Sequence, residues 1–277
     1  MVRSIMLGLL CEEGPLPIHA MKFAVDLAAD QGAHLTAGVG APTFDVTPGM
    51  MLPEVRWMAV EANKRRAERA KEIDEHVRQI ASLAGVSVKS ELVHNNYPTL
   101  RGRLVRLARA SDLAVLTRSQ EISSLEQDLV EEVLFSSGRP VLLVPDRGDL
   151  AVKFAKVVLA WDGSARAARA MGDALPLLGK DTAVEVVSVA GDPNPSKAIE
   201  GLEMAEHLSR HIPNVSVAEL PALDGNVAAT IRNHMTLTKA DLLIMGGYAH
   251  SRLREMVLGG VTREMLSSAA FPVLLSY

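Results

Sequence analysis

The chain has one cysteine in 277 residues, Cys11. A lone thiol excludes an intramolecular disulfide and fits a reducing compartment, so the cytoplasm is the expected location. A basic surplus is lacking too. A formal net charge of −4 and a pI near 6.1 leave no excess cation to displace counterions from a duplex, which argues against a nucleic-acid partner. No apolar run approaches the roughly 18 residues of a membrane span. The opening MVRSIMLGLLC has a basic residue and an apolar run ending in cysteine, faintly like a lipoprotein signal. That run is too short for a secretory core, and Leu10 stands before Cys11 where a small residue is required. Residues 4–11 are therefore expected as a first buried strand of a soluble protein. Proline and glycine are not in excess, and 48% of residues are apolar, as in an ordinary folded chain. A length of 277 residues is long for one core and comfortable for two domains of roughly 140 each.

What the sequence does contain is an internal repeat. Ser111–Leu116 (SDLAVL) matches Ala240–Met245 (ADLLIM), and Arg139–Val144 (RPVLLV) matches Phe271–Ser276 (FPVLLS). Between them, in the same order, lie Glu131–Ser137 and Arg263–Ala269; the openings Ser4–Cys11 and Lys156–Gly163 also correspond. Two copies of one unit join near Asp146–Ala151, a segment with glycine and charge directly after Pro145. Each copy is too long for a solenoid repeat, which makes the chain a tandem of two domains, 1–147 and 152–277.

Within each copy short apolar runs alternate with helical patterns. Strands are predicted near 4–11, 33–40, 86–93, 112–117 and 140–145, then near 156–161, 183–190, 215–220, 241–246 and 272–276. Helices are predicted near 16–31, 56–84, 97–110 and 124–137, then near 164–178, 196–211, 225–238 and 260–269. Runs that are apolar throughout, such as KVVLAW and DLLIM, fit a parallel sheet covered on both faces. The expected fold is α/β: two doubly wound domains, each a five-stranded parallel sheet with helices on both faces. Ligands of such sheets lie beyond the carboxyl ends of the strands, at the switch point, which directs attention to the loops after strands one and four.

After the fourth strand of the second copy, Gly246-Gly247 and Gly259-Gly260 bracket a basic loop, and a helix starts at the second pair. Bare backbone N–H groups at a helix start, with the helix dipole behind them, favour a phosphate. His250, Arg252 and Arg254 could pair with its oxygens, or be solvated loop charges or contacts to another subunit.

In this order and spacing, VVLAWDGSARAARAM, the glycine loop and the closing FPVLLSY resemble a tandem universal stress protein over essentially the whole chain. The resemblance implies an adenine nucleotide α-hydrolase-like fold and an ATP signature of glycine, two residues, glycine, nine residues, glycine, then Ser or Thr. It places Asp162 where an aspartate contacts the nucleoside, and Gly246 and Gly259 at the first and third signature glycines. Two positions depart from it: Ala249 replaces the second glycine, and Gly260 stands where Ser or Thr is expected. Thr262 offers a hydroxyl two residues later. The nucleotide-binding set is thus Asp162, Gly246, Gly247, Ala249, His250, Arg252, Gly259, Gly260, Val261 and Thr262, with ATP and Mg²⁺ as the implied ligand. The first copy has CEEGP at its first strand tip and no glycine between Leu116 and Ser137, so it is expected to bind no nucleotide and to pack as a pseudo-dimer partner; a homodimer is the other arrangement.

The remaining features are weaker. Gly38-Val39-Gly40 begins like a dinucleotide fingerprint but lacks the later glycine, and is read as a loop. No GxxxxGK[ST] phosphate loop occurs. His207, His211 and Glu203 could share a helix face and meet a metal, though an exposed polar face is the plainer reading. Cys11 is expected to be a small core residue, Ser164 a helix cap, and Asn63–Arg78 the solvated side of a long helix. Nothing assembles into nucleophile, base and oxyanion hole, so no enzyme mechanism emerges beyond slow ATP hydrolysis. The alternative to a nucleotide module is a scaffold whose apolar last strand mediates assembly, as an edge awaiting a partner would.

Overall fold

The computed structural model describes all residues except 12–14, 46–51, 119–124, 146–147, 149, 191–195 and 248–259. Two compact units divide the chain, one formed mainly by residues 2–117 and 123–139, the other mainly by 140–277.

The first unit runs β1 (Ser4–Leu10), α1 (Ile18–Gln31), β2 (His34–Pro42), α2 (Pro53–Leu83), β3 (Val88–Asn95), α3 (Tyr97–Arg109), β4 (Leu113–Thr117) and α4 (Leu125–Ser136). Strands β3, β2, β1 and β4 lie side by side in that order, all parallel, with Ser4 opposite His34 and Ile5 opposite Leu113. The central strands β1 and β4 are apolar and buried almost end to end, as strands covered on both faces must be. Helix α1 stops at Gly32, whose left-handed φ of 59° lets its N–H return to the Ala28 and Ala29 carbonyls. Helix α3 starts at Asn96, whose side chain accepts from the Thr99 N–H.

The pair Gly38 and Gly40, read from sequence as a loop, lies inside strand β2. A β-carbon at Gly38 would stand 2.6 Å from Leu104 Cδ2, and one at Gly40 2.8 Å from Leu100 Cδ2. These glycines let α3 sink its leucines onto the sheet, which is packing and not cofactor chemistry. The Asn63–Arg78 run, expected as the solvated side of α2, has two faces: its charged residues are mostly exposed or half-buried, while Ala70, Ile73 and Val77 within it are buried.

The second unit begins with β5 (Val141–Val144), then β6 (Lys156–Ala160), α5 (Ala165–Ala174), β7 (Ala183–Ala190), α6 (Ser196–Ser209), β8 (Asn214–Pro221), α7 (Val227–Thr238), β9 (Leu242–Gly246), α8 (Gly260–Ser268) and β10 (Val273–Ser276). Parallel strands follow the order β10, β9, β6, β7, β8. Strand β5 adds to this sheet beside β10, antiparallel, with Leu142 opposite Leu274. The compact units therefore part at Pro140, ahead of the linker segment, because β5 packs with the second copy. The closing strand, expected as an open edge, has a neighbour on each side, β9 and β5.

The two copies share a detail finer than topology. Asp112, at the entry to β4, accepts from the Arg3 and Ser4 amides at 2.9 and 3.0 Å. Asp241, at the entry to β9, accepts from the Ala155 and Lys156 amides, both at 2.8 Å. Each aspartate also donates its own N–H back, to Ser4 O and Lys156 O respectively. One latch thus fixes strand one against strand four at the amino end of both sheets.

Candidate functional site

In the second unit the strand order reverses between β6 and β9, where α/β sheets open a crevice at their carboxyl ends. Ala160 pairs with Met245, the last pair of the register, and Asp162 and Gly247 each follow two residues later, past the ends of these neighbouring strands. Asp162 is exposed, and its Oδ1 accepts from the Ser164 N–H at 3.0 Å, a turn that Gly163 completes with φ of 73°. Ser164 then caps α5, accepting from the Ala167 N–H at 3.1 Å. The expected cap is thus present, and its purpose is to launch the helix while the Asp162 carboxylate stays in solvent.

Gly246 closes β9. A β-carbon there would stand 2.8 Å from Ala167 N and 2.9 Å from Arg166 Cβ. This glycine is accounted for by the close approach of α5, independently of any ligand. Gly247 donates to Ser276 O at 2.8 Å, which ties the strand end to β10. Gly260, the first residue of α8, is exposed, and a β-carbon there would meet nothing within 4 Å. Val261 is half-buried, while Thr262 is buried, 3% exposed, and engaged within the protein. Helix α8 is anchored to α7 by an Arg232–Glu264 ion pair of 2.6 Å. Ala249, His250, Arg252 and Gly259, with Arg254, lie outside the described residues.

Two side chains at this end of the sheet escaped the sequence reading. Arg166, in the first turn of α5, holds its guanidinium 4.5 Å from the centre of the Tyr277 ring. Trp161, between β6 and Asp162, lies against α6 at Gly201; a β-carbon at Gly201 would be 4.0 Å from Trp161 Cδ1. The Trp161 Nε1–H is buried without an acceptor among the described residues. Neither has a motif signal, since a tryptophan inside VVLAW reads as one more apolar strand residue.

The first unit treats the same place differently. Its latch aligns Ser4 with Lys156, which puts Leu10 at the position of Asp162. Leu10 is 5% exposed, and with Leu116, Thr117, Glu126, Leu129 and Val130 it lines the crevice between β1, β4 and α4. Apolar contact has replaced the polar strand tip. Cys11 follows, 1% exposed, its thiol pushed up to about 12 by burial against the opposing pull of Arg69 and Arg66. It is a core residue, held protonated. The His207 and His211 rings lie 5.1 Å apart, tilted at 58° to each other, but α6 ends at Ser209 before the second of them. No group of three metal-ligating side chains forms among the described residues, and no described helix is long and apolar enough to cross a membrane.

The fold and this strand-end geometry define a doubly wound α/β protein with an exposed aspartate at the switch point of the C-terminal copy. Residues 153–276 match the model of the Universal stress protein family. Universal stress protein Slr1230 from Synechocystis sp. is 28% identical over 171 residues, covering 59% of this chain. The chain matches 57% of the length of that curated relative. Among solved structures, a universal stress protein from Archaeoglobus fulgidus DSM 4304 is similar at a TM-score of 0.69 and 17% identity, covering 98% of this chain and 97% of that one. A functionally unknown protein, PA1789 from Pseudomonas aeruginosa PAO1, is similar at 0.56 and 14% identity, covering 99% and 92%. At these identities the likeness is one of fold.

Proposed function

We propose that the C-terminal copy, residues 152–277, is an adenine-nucleotide binding module of a cytoplasmic stress-response protein, with ATP and Mg²⁺ as its ligand. The N-terminal copy, residues 1–147, is a degenerate domain of the same type that binds no nucleotide. The carrying observation is that Asp162 and Gly247 each stand two residues past the paired Ala160 and Met245 at the switch point, an exposed carboxylate on one strand end and a glycine on the next. A carboxylate there suits the hydroxyls of a ribose, and the glycines with the α8 amino end suit its phosphates. Thr262 is left out of the ligand set because it is buried and engaged elsewhere. The buried Leu10 at the matching position supports the assignment of the N-terminal copy as silent.

Slow turnover at most belongs to this reading, because no general base and nucleophile pair forms at the crevice among the described residues. The competing scaffold reading drew on an open last strand, and β5 covers that edge. Isothermal titration with ATP and Mg²⁺ tests the proposal: saturable heat supports it, and no heat at millimolar nucleotide overturns it.

A further inference from the structure

Helix α2 outruns the sheet it covers. Its 31 residues span about 46 Å, whereas β2 and β3, against which it packs, have nine and eight residues and span about 30 Å. The far part of the helix buries a stripe, Ala70, Ile73, Val77 and Ala81. The first part, Pro53–Val60, buries only Ala59. Leu52, Val55, Trp57, Met58 and Val60 are all exposed there, Trp57 by 68% and Met58 by 63%. At 3.6 residues per turn, Leu52 and Val55 prolong the buried stripe past the sheet, while Trp57 and Met58 lie toward the opposite side. These five large apolar side chains within nine residues present roughly 500 Å², the upper range for a patch on a monomer. With flanking residues that is close to the ~800 Å² each partner contributes to a stable interface.

The charges decide which partner fits. Glu54 precedes Trp57 and Met58 on the outer side of the helix, and Lys64 and Arg65 follow them, all three exposed and without an ion pair among the described residues. Along its length the arm is acidic, then apolar, then basic. That order is complementary to itself when reversed. We propose that Leu52–Arg65 is a self-association surface, on which a second copy of this chain lays its own arm antiparallel about a two-fold axis. Glu54 of each copy then meets the partner's Arg65, and Met58 meets the partner's Met58, with both Trp57 rings packed between. A parallel arrangement would set Glu54 beside Glu54 and Arg65 beside Arg65, and is repelled.

Sedimentation velocity across a wide range of concentration tests this on the full chain, without nucleotide. The parent is expected to dimerise. Trp57→Asp is expected to weaken association at least about ten-fold, as loss of a central aromatic does, with thermal unfolding of the monomer unmoved. Glu54→Arg is expected to weaken it too, and Arg65→Glu added to Glu54→Arg to restore it, because the exchanged charges meet across the axis. A parent that stays monomeric at every concentration overturns the proposal, as does a dimer that Trp57→Asp leaves intact. Failure of the double variant to regain association overturns the antiparallel arrangement. Co-sedimentation of a monomeric parent with vesicles of anionic lipid, lost in Trp57→Asp, assigns the arm to a membrane surface and overturns the proposal as well.

Discussion

A β-carbon added to Gly246 would stand 2.8 Å from the amide nitrogen of Ala167, closer than such atoms approach in folded proteins. Backbone cannot swing aside as a side-chain tip can, so Gly246→Ala is expected to cost about 1–3 kcal/mol, an overpacking penalty. Gly260→Ala, with nothing within 4 Å of its new methyl, is expected to be neutral or to gain up to about 1 kcal/mol from helix propensity. Urea midpoints of the two variants check the contrast; equal midpoints would show that α5 yields at this contact.

Gly260 also stands where the family pattern places a hydroxyl. Because the position is open, Gly260→Ser adds the group without displacing a neighbour. The expected result is ATP binding about ten-fold tighter than in the parent, the worth of one added hydrogen bond. Titration calorimetry reads it directly, and unchanged affinity would separate this residue from the phosphates.

Asp162→Asn keeps an oxygen to accept the Ser164 N–H and so preserves the turn before α5. It removes the charge. ATP affinity is expected to fall by about ten- to a hundred-fold, as for loss of a charge-assisted hydrogen bond. Thermal unfolding should be nearly unmoved, which distinguishes a ligand contact from a structural one.

The latch at Asp112 predicts a pH dependence. The Arg3 amide, then the Ser4 amide and hydroxyl, hold its carboxyl below the ordinary carboxylate range, with a minor contribution from Arg139. A carboxylate whose folded pKa is depressed contributes stability that is complete above the unfolded value of about 3.9 and is lost as pH falls through the folded one. Asp112→Asn is therefore expected to be less stable than the parent at neutral pH and to converge on it below about pH 4. Denaturant unfolding at pH 7 and pH 3 provides the comparison; a constant difference at both would exclude the charge as the cause.

Much of this fold was legible in the sequence because its strands advertise themselves. DLLIM and VLLV are apolar at every position, as only strands buried on both faces can be, and the repeat fixed their order. Strand direction was not legible. Nothing in VLLV (Val141–Val144) says that it will run antiparallel beside Val273–Ser276, since a four-residue apolar run fits either orientation. Glycines carried more than one meaning. Gly38 and Gly40 read as a loop yet make room for leucines within a strand, and Gly246 read as a phosphate contact yet also makes room for α5. A glycine reports close approach without naming what approaches. Asp162 could be picked out because it interrupts an apolar strand with Asp-Gly-Ser, whereas Trp161 continues the apolar run and gave no signal.

Cys11 offers a chemical check on the N-terminal copy. With its thiol at about 12 and 1% exposure, it is expected to resist a thiol-specific disulfide reagent at pH 8 in the folded protein and to react at once in denaturant. Rapid reaction of the native chain would show that the carboxyl end of β1 opens, contrary to a sealed apolar strand tip.

The paired latches have a consequence for how the copies could diverge. Asp112 and Asp241 hold the amino ends of their sheets, and the proposed ligand site belongs to the carboxyl ends. The residues that keep each copy folded are thus several residues of strand away from the residues that give it a task. A copy can lose its aspartate at one rim, accept a leucine there, and keep its foundation at the other. Leu10 and Asp162 are two outcomes of that freedom, one buried and apolar, one exposed and charged, standing on the same support.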